Sequence, residues 1–311
     1  MIKYTKAQSI TKGTAYTPAF DAFYIGTGNV TDETASSALG NPDVWLKPDK
    51  QLDATLGIVT KWTDQIGDIE FTPNSGDVGP SKNDGDVSTN WLPYLTFNGS
   101  TTSLVAAENR EFDQGTGEYS MVVLARFDGT GSDETLLAKD GASSEWQLKK
   151  DTNNRITVAQ TGSDPRSAAL SAGTWYIIEW SQDDSDVHTI YIDGSASGST
   201  VSAATDYDDD EKLFIGRKSG GTSHRLDGDI AEILYYNDHE LTSLERASVV
   251  SYLQDKYFNQ PIARQDFTGV DGSDIVVTAQ TNKIIEFGFT KAVNDSGLNY
   301  TAEDIIGLRI K

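Results

Sequence analysis

The sequence predicts an all-β fold: an antiparallel β-sandwich, with further β-type segments at the N- and C-terminal ends. Three observations point there. The acidic residues are 33 Asp against 14 Glu, and Asp favours turns and caps where Glu favours helix interiors. Glycine is abundant, at 28 residues, while methionine numbers only 2. Short runs of β-branched and aromatic residues recur along the middle of the chain, divided by Gly, Asp, Ser and Asn clusters.

The elements follow in order. Residues 1–40 are rich in Thr, Ala, Ser and Gly and read as an arm with one strand, Phe20-Asp21-Ala22-Phe23-Tyr24-Ile25-Gly26. From 41 to 259 the texture is that of a sandwich, and all six tryptophans lie here. Strands are expected at 94–97, 119–125, 135–138, 175–180, 188–192, 213–216 and 229–236. Asn98-Gly99, Asp128-Gly129, Asp140-Gly141 and Asp193-Gly194 supply turns between them. Thr242-x-x-Glu245 forms a capping box for one helix. Leu244, Ala247, Val250, Leu253 and Tyr257 recur there at helical spacing, and Pro261 stops it. Residues 260–311 return to β texture, with strands expected at 275–278 and 284–289. Residues 304–310 read as a last strand or a short helix.

Charge narrows the function. With 47 acidic and 25 basic side chains the net charge is −22, which disfavours nucleic acid and anionic membranes as partners. No apolar run approaches the ~20 residues of a membrane span. The segment after Met1-Ile2-Lys3-Tyr4-Thr5-Lys6 lacks the apolar core of a secretory signal. Without cysteine there is no disulfide framework or thiolate site, and three histidines argue against a multi-His metal centre.

The middle of the chain resembles the laminin-G-like, concanavalin-A-type jelly-roll domains of many bacterial and phage surface proteins. Val44-Trp45-Leu46 with Leu52-Asp53-Ala54, Val59-Thr60-Lys61-Trp62-Thr63-Asp64, and Tyr94-Leu95-Thr96-Phe97-Asn98-Gly99 carry the first part of the resemblance. Tyr191-Ile192-Asp193-Gly194, then Leu213-Phe214-Ile215-Gly216 and Leu226-Asp227-Gly228-Asp229-Ile230-Ala231-Glu232-Ile233, carry the rest. A second resemblance, carried by Phe23-Tyr24-Ile25-Gly26-Thr27-Gly28-Asn29-Val30, is to small β-modules of tailed-phage structural proteins. It implies one anchoring module made from 1–40 and 260–311, with the sandwich inserted between.

Three chemistries deserve weighing. Hydrolytic members of the superfamily carry Glu-x-Asp-x-x-Glu on one strand. The nearest string, Asp227-Gly228-Asp229-Ile230-Ala231-Glu232, lacks the first Glu, and the expectation is a non-enzyme with no catalytic residue. Calcium is the candidate cofactor, held by Asp206, Asp208, Asp209 and Asp210, with Asp183, Asp184 and Asp186 as a second acidic loop. A solvated acidic loop is the competing reading. For a glycan, Tyr207, or Tyr235 and Tyr236 beside Asn237, are the candidate platform.

The resulting expectation is a non-enzymatic phage virion protein on the outer particle surface, a capsid decoration or head-fibre protein, made in the host cytoplasm. Its expected partners are other virion proteins of the capsid or tail and a host surface glycan, and it is expected to be a homo-oligomer, by analogy a homotrimer. The alternatives are a tail receptor-binding protein for host glycans and a glycoside hydrolase.

Overall fold

The computed structural model describes residues 39–258, apart from 90–91, 108–111, 113–116, 141–143, 160–163, 204–210 and 219–222, together with the backbone of 24–26, 263–267 and 284–289. The chain divides into two units, 34–257 and one drawn from the two end segments.

In the end unit, Tyr24–Gly26 pairs antiparallel with Ile284–Phe289. Ile284–Phe289 also pairs parallel with Ala263–Phe267. The strands expected at 275–278 and 304–310 fall outside the described residues.

The larger unit is the sandwich. One layer runs Val187–Ile192, Trp175–Gln182, Tyr119–Phe127, Asp227–Asn237, Tyr94–Asn98 and Ser81–Asn83. The other runs Arg166–Ala169, Arg155–Ala159, Ser144–Lys150, Glu134–Asp140, Leu213–Ile215, Leu104–Ala106, Glu70–Thr72, Ile58–Thr63 and Leu52–Thr55. All these pairings are antiparallel, and Ile58 opposite Ser81 links the layers. A two-residue turn closes the hairpin of Val187–Ile192 with Ser195–Ala196 as expected: Asp193 and Gly194 both take positive φ, the geometry that matches strand twist.

Alternation along Tyr119–Phe127 shows how the core is organised. Met121, Val123, Ala125 and Phe127 face the other layer and pack in the main cluster with Trp62, Trp146 and Trp180. Val122 and Leu124 face the opposite way and pack under the helix with Val249, Leu253 and Tyr257. The strand is therefore buried on both faces, which is why its sequence is a continuous apolar run rather than an alternating one.

The helix is Ser243–Tyr257, and its capping box forms: the Glu245 N–H donates to Thr242 Oγ1 at 3.3 Å and the Thr242 N–H to Glu245 Oε2 at 2.9 Å. Its inward stripe differs from the apolar positions expected. Leu244 is 78% exposed, whereas Arg246, Val249, Leu253, Lys256 and Tyr257 are buried. The cause lies in the sheet below, which presents two carboxylates, Glu179 and Glu232, to the helix. Arg246 Nε donates to both Glu179 oxygens at 2.9 and 2.8 Å, and Lys256 Nζ donates to Glu232 Oε2 at 2.9 Å.

Candidate functional site

The acidic string on Asp227–Asn237 is the first place to look for chemistry. Asp227 is exposed. Asp229 is buried and binds Arg126 through Nε at 2.8 Å and Nη2 at 2.5 Å, while Thr96 Oγ1 donates to its other oxygen at 2.5 Å. Burial raises the Asp229 carboxyl above its ordinary range despite Thr96 and Arg126. Glu232 is fully buried on the helix side, accepting from Trp45 Nε1 at 2.6 Å, Tyr252 Oη at 2.9 Å, Tyr257 Oη at 3.0 Å and Lys256.

A β-bulge explains where Glu232 points. Ile230 lies opposite Ala125 and Glu232 opposite Leu124, so Ala231 and Glu232 share one partner position. Uninterrupted alternation from Ile230 would turn Glu232 into the core between the layers; the bulge keeps it on the helix side with Ala231. Asp229 and Glu232 are thus held by different cations, and each carboxylate is occupied by structural partners.

The same device recurs on Ile58–Thr63. Asp53 lies opposite Lys61 and Ala54 opposite Val59, so Thr60 is the extra residue. Val59 and Trp62 point inwards while Lys61 points out. Lys61 lines an open depression of about 380 Å³ with Gln51, Asp53, Thr63, Asp68 and Glu70. Its Nζ lies 2.9 Å from Glu70 and 3.5 Å from Asp53. The Glu70 hydrogen bond and charge hold the ammonium above its ordinary range. Gln51 and Asp68 both take positive φ, at 44° and 58°, uncommon for residues with a Cβ. The groove thus offers an amide, a hydroxyl, an ammonium and three carboxylates, a set suited to a ligand rich in hydroxyls.

The residues expected from sequence lie elsewhere. Tyr207, Asp206, Asp208, Asp209 and Asp210 fall outside the described residues. Tyr235 and Tyr236 do not form the expected exposed platform: they are 3% and 0% exposed. Tyr235 packs edge-on against Phe112, and Tyr236 Oη donates to the Leu39 carbonyl at 2.7 Å. Both are buried because the strand has the sandwich core on one face and the helix on the other. Asn237 is partly buried, and its backbone N–H donates to Asp43 at 2.7 Å. Asp183 accepts from the N–H groups of Ser185 and Val187 at 2.9 Å each, which makes it a turn former. Among the described residues, no three His, Asp or Glu side chains are grouped to hold a metal.

Sequence reasoning missed Gln51, Lys61 and Glu70. The available signal was the broken alternation from Val59 to Trp62, which places two inward residues three apart and so betrays a bulge.

This architecture is that of a concanavalin A-like sandwich. Residues 98–245 match the laminin-G-like family model described as the concanavalin A-like lectin/glucanases superfamily, and a domain of that superfamily is present in the chain. No curated protein matches the sequence. Among solved structures, domain 4 of an extracellular arabinanase from Geobacillus stearothermophilus, in complex with arabinotriose, is 15% identical with a TM-score of 0.51; the match covers 68% of this chain and 98% of that domain. The binding domain of Paraclostridial Mosquitocidal Protein 1 is 14% identical with a TM-score of 0.52, over 73% of this chain and 55% of that one. Trypanosoma rangeli sialidase in complex with sialic acid is 17% identical with a TM-score of 0.48, over 68% of this chain. The match spans about a third of the sialidase, 32% of its length.

Proposed function

We propose that the protein is a non-enzymatic structural protein of a tailed-phage virion, a capsid decoration or head-fibre protein whose sandwich binds glycans at the particle surface. The observation that carries binding over hydrolysis is the fate of the acidic string: Asp229 is neutralised by Arg126 and Glu232 by Lys256. A retaining or inverting hydrolase needs two carboxyl groups facing one scissile bond. The groove at Gln51, Lys61 and Glu70 supplies the planar polar groups a sugar requires. The likeness to an arabinanase domain caught with arabinotriose supports a saccharide ligand. The virion role rests on the resemblance of the N-terminal strand to phage β-modules, and a homotrimer suits display on a particle.

The test has two arms. The purified protein is applied to an array of host-surface and plant polysaccharides, then assayed for reducing-sugar release on every glycan it binds. Saturable binding without release is expected, and release from any bound glycan overturns the reading. Immunogold labelling of particles places the protein: label on the head is expected, and label on the tail would replace this role by receptor binding.

A further inference from the structure

The turn before Leu52–Thr55 and the last turn of the helix meet at one lysine. Lys47-Pro48-Asp49-Lys50 closes with the Lys50 N–H donating to the Lys47 carbonyl at 3.1 Å, and Pro48 presets the backbone of that turn. The turn holds Asp49 beside the helix end, where Lys256 Nζ lies 3.4 Å from its Oδ1. The same Nζ lies 2.9 Å from Glu232 Oε2 and donates to Tyr252 Oη at 3.3 Å. The Lys256 and Glu232 side chains are 7% and 0% exposed, whereas that of Asp49 is 22% exposed. One amine therefore meets two carboxylates, the first sealed in the core and the second open to water on one side.

An amine fixed against a carboxyl carbon can condense with it. Fixed geometry replaces a chance encounter, and dry surroundings hinder the reverse hydrolysis. The lysine must first lose a proton. Burial alone would lower Lys256, but Glu232 and Asp49 outweigh it and hold the ammonium above its ordinary range. The resting amine is thus charged, and a base must relieve it before it can attack. Glu232 Oε2 is the base within reach. Trp45 Nε1, Tyr252 Oη and Tyr257 Oη also donate to Glu232, so its carboxylate remains hydrogen-bonded once the ammonium charge is gone. Those three donors and full burial also make Glu232 a poor acyl partner, because an oxygen lost from it would have no way out.

We infer that Lys256 and Asp49 join in an intramolecular amide bond, with Glu232 relaying the protons. The Nζ lone pair forms a bond to Asp49 Cγ, and the bond from Cγ to one carboxylate oxygen breaks. Of the ammonium protons, one stays on the amide nitrogen. The others pass through Glu232 to the departing oxygen, which leaves as water by the exposed side of Asp49. Glu232 ends ionised, as it began, and no oxidant or cofactor is consumed. The bond joins residues 207 positions apart and closes most of the sandwich into one covalent loop, in a chain with no cysteine to do so. A force applied to the two ends of the sandwich then loads the amide instead of the strands. Lys61 is the internal comparison. It too meets two carboxylates, Glu70 and Asp53, but its side chain is 33% exposed, and a hydrated ammonium stays free.

Intact mass spectrometry of the whole chain, followed by proteolysis and fragmentation, reads the bond directly. The wild type should be lighter than its sequence by one water molecule, with Asp49 and Lys256 in one branched peptide and Lys61 unmodified. Asp49→Ala, at a turn position outside the core, should fold and show the full sequence mass. After boiling in detergent the wild type should migrate faster than Asp49→Ala, because its chain stays looped. Glu232→Gln keeps the shape of the side chain but cannot relay protons, so it should fold by circular dichroism and lack the branch. A branch formed undiminished in Glu232→Gln overturns the relay. A wild type at full sequence mass overturns the inference, as does a branch to Glu232, or a water lost elsewhere while Asp49 stays unbranched. The bond lies outside the Gln51–Glu70 groove, so failure here leaves the glycan reading standing, and failure on the glycan array leaves this one standing.

Discussion

Two arginine–carboxylate sites in one sandwich end with opposite proton affinities. Under the helix, Glu179 is fully enclosed and pairs with Arg246, which also lies 3.6 Å from Glu240. Burial pushes the Glu179 carboxyl up to about 7, against the pull of Arg246. At the other site Asp77 meets two arginines, and its carboxyl is held at about 2. The pair chemistry is the same. What differs is which influence wins: burial outweighs Arg246 at Glu179, with Glu240 adding to it, whereas Arg225, Ser103 and Arg217 together outweigh burial at Asp77. The first site fastens a helix; the second holds an ionised carboxylate between two arginines.

The largest effect should come from the helix side. Glu232→Ala leaves buried Lys256 with the longer Asp49 contact at 3.4 Å in place of its close counter-charge, and removing one partner of a buried pair costs about 3–5 kcal/mol. Urea denaturation should show that loss, and a loss under 1 kcal/mol would mean the cluster does not fasten the helix.

The Glu179 site sharpens the contrast through pH. Its folded pKa is raised above the unfolded value, so the native state holds the extra proton between about 4.5 and 7. The stability it contributes is fully present below about 4.5 and is lost as pH rises to about 7, a change of about 3 kcal/mol. Net charge also varies over that window, but equally in Glu179→Gln. The difference between wild type and that variant should therefore slope with pH from 4.5 to 7 and flatten above. A constant difference would break the comparison.

Asp77 should behave in the opposite sense. Its folded pKa lies below the unfolded value, so its contribution of about 2 kcal/mol is present above pH ~4 and fades as pH falls to ~2. The gap in melting temperature between wild type and Asp77→Asn should close over that acid range. The smallest effect belongs to the helix start. Thr242→Ala removes the cap and should cost about 1 kcal/mol by thermal denaturation, with no change in either pH profile.

Much of this fold is legible in the sequence. The strands at 94–97, 119–125, 175–180 and 229–236 follow from β-branched runs between turn residues. The capping box announces the helix, and the tryptophans announce the core. Orientation is where legibility ends. Tyr235 and Tyr236 read as a surface pair because adjacent residues on a strand face opposite sides, and one side is usually solvent. Here the helix covers that side. Glu232 and Lys61 each sit one residue past a bulge, and a bulge reverses the parity on which face assignment rests. Helical spacing picks out Leu244 and Ala247 as inward, but only the sheet's buried carboxylates reveal that Arg246 and Lys256 are the residues drawn in. Asp77 and Arg225 are 148 positions apart, and nothing local ties them together.

The central claim, that the sandwich binds glycans through the groove and leaves them intact, is tested most directly by comparing wild type with Lys61→Ala and Gln51→Ala on the best glycan from the array. Lys61 and Gln51 lie outside the core, so both variants should fold with unchanged melting temperature. The account predicts at least a ten-fold loss of affinity in each, with no reducing sugar released by any of the three proteins. Undiminished affinity in both variants, or sugar released by the wild type, would contradict it.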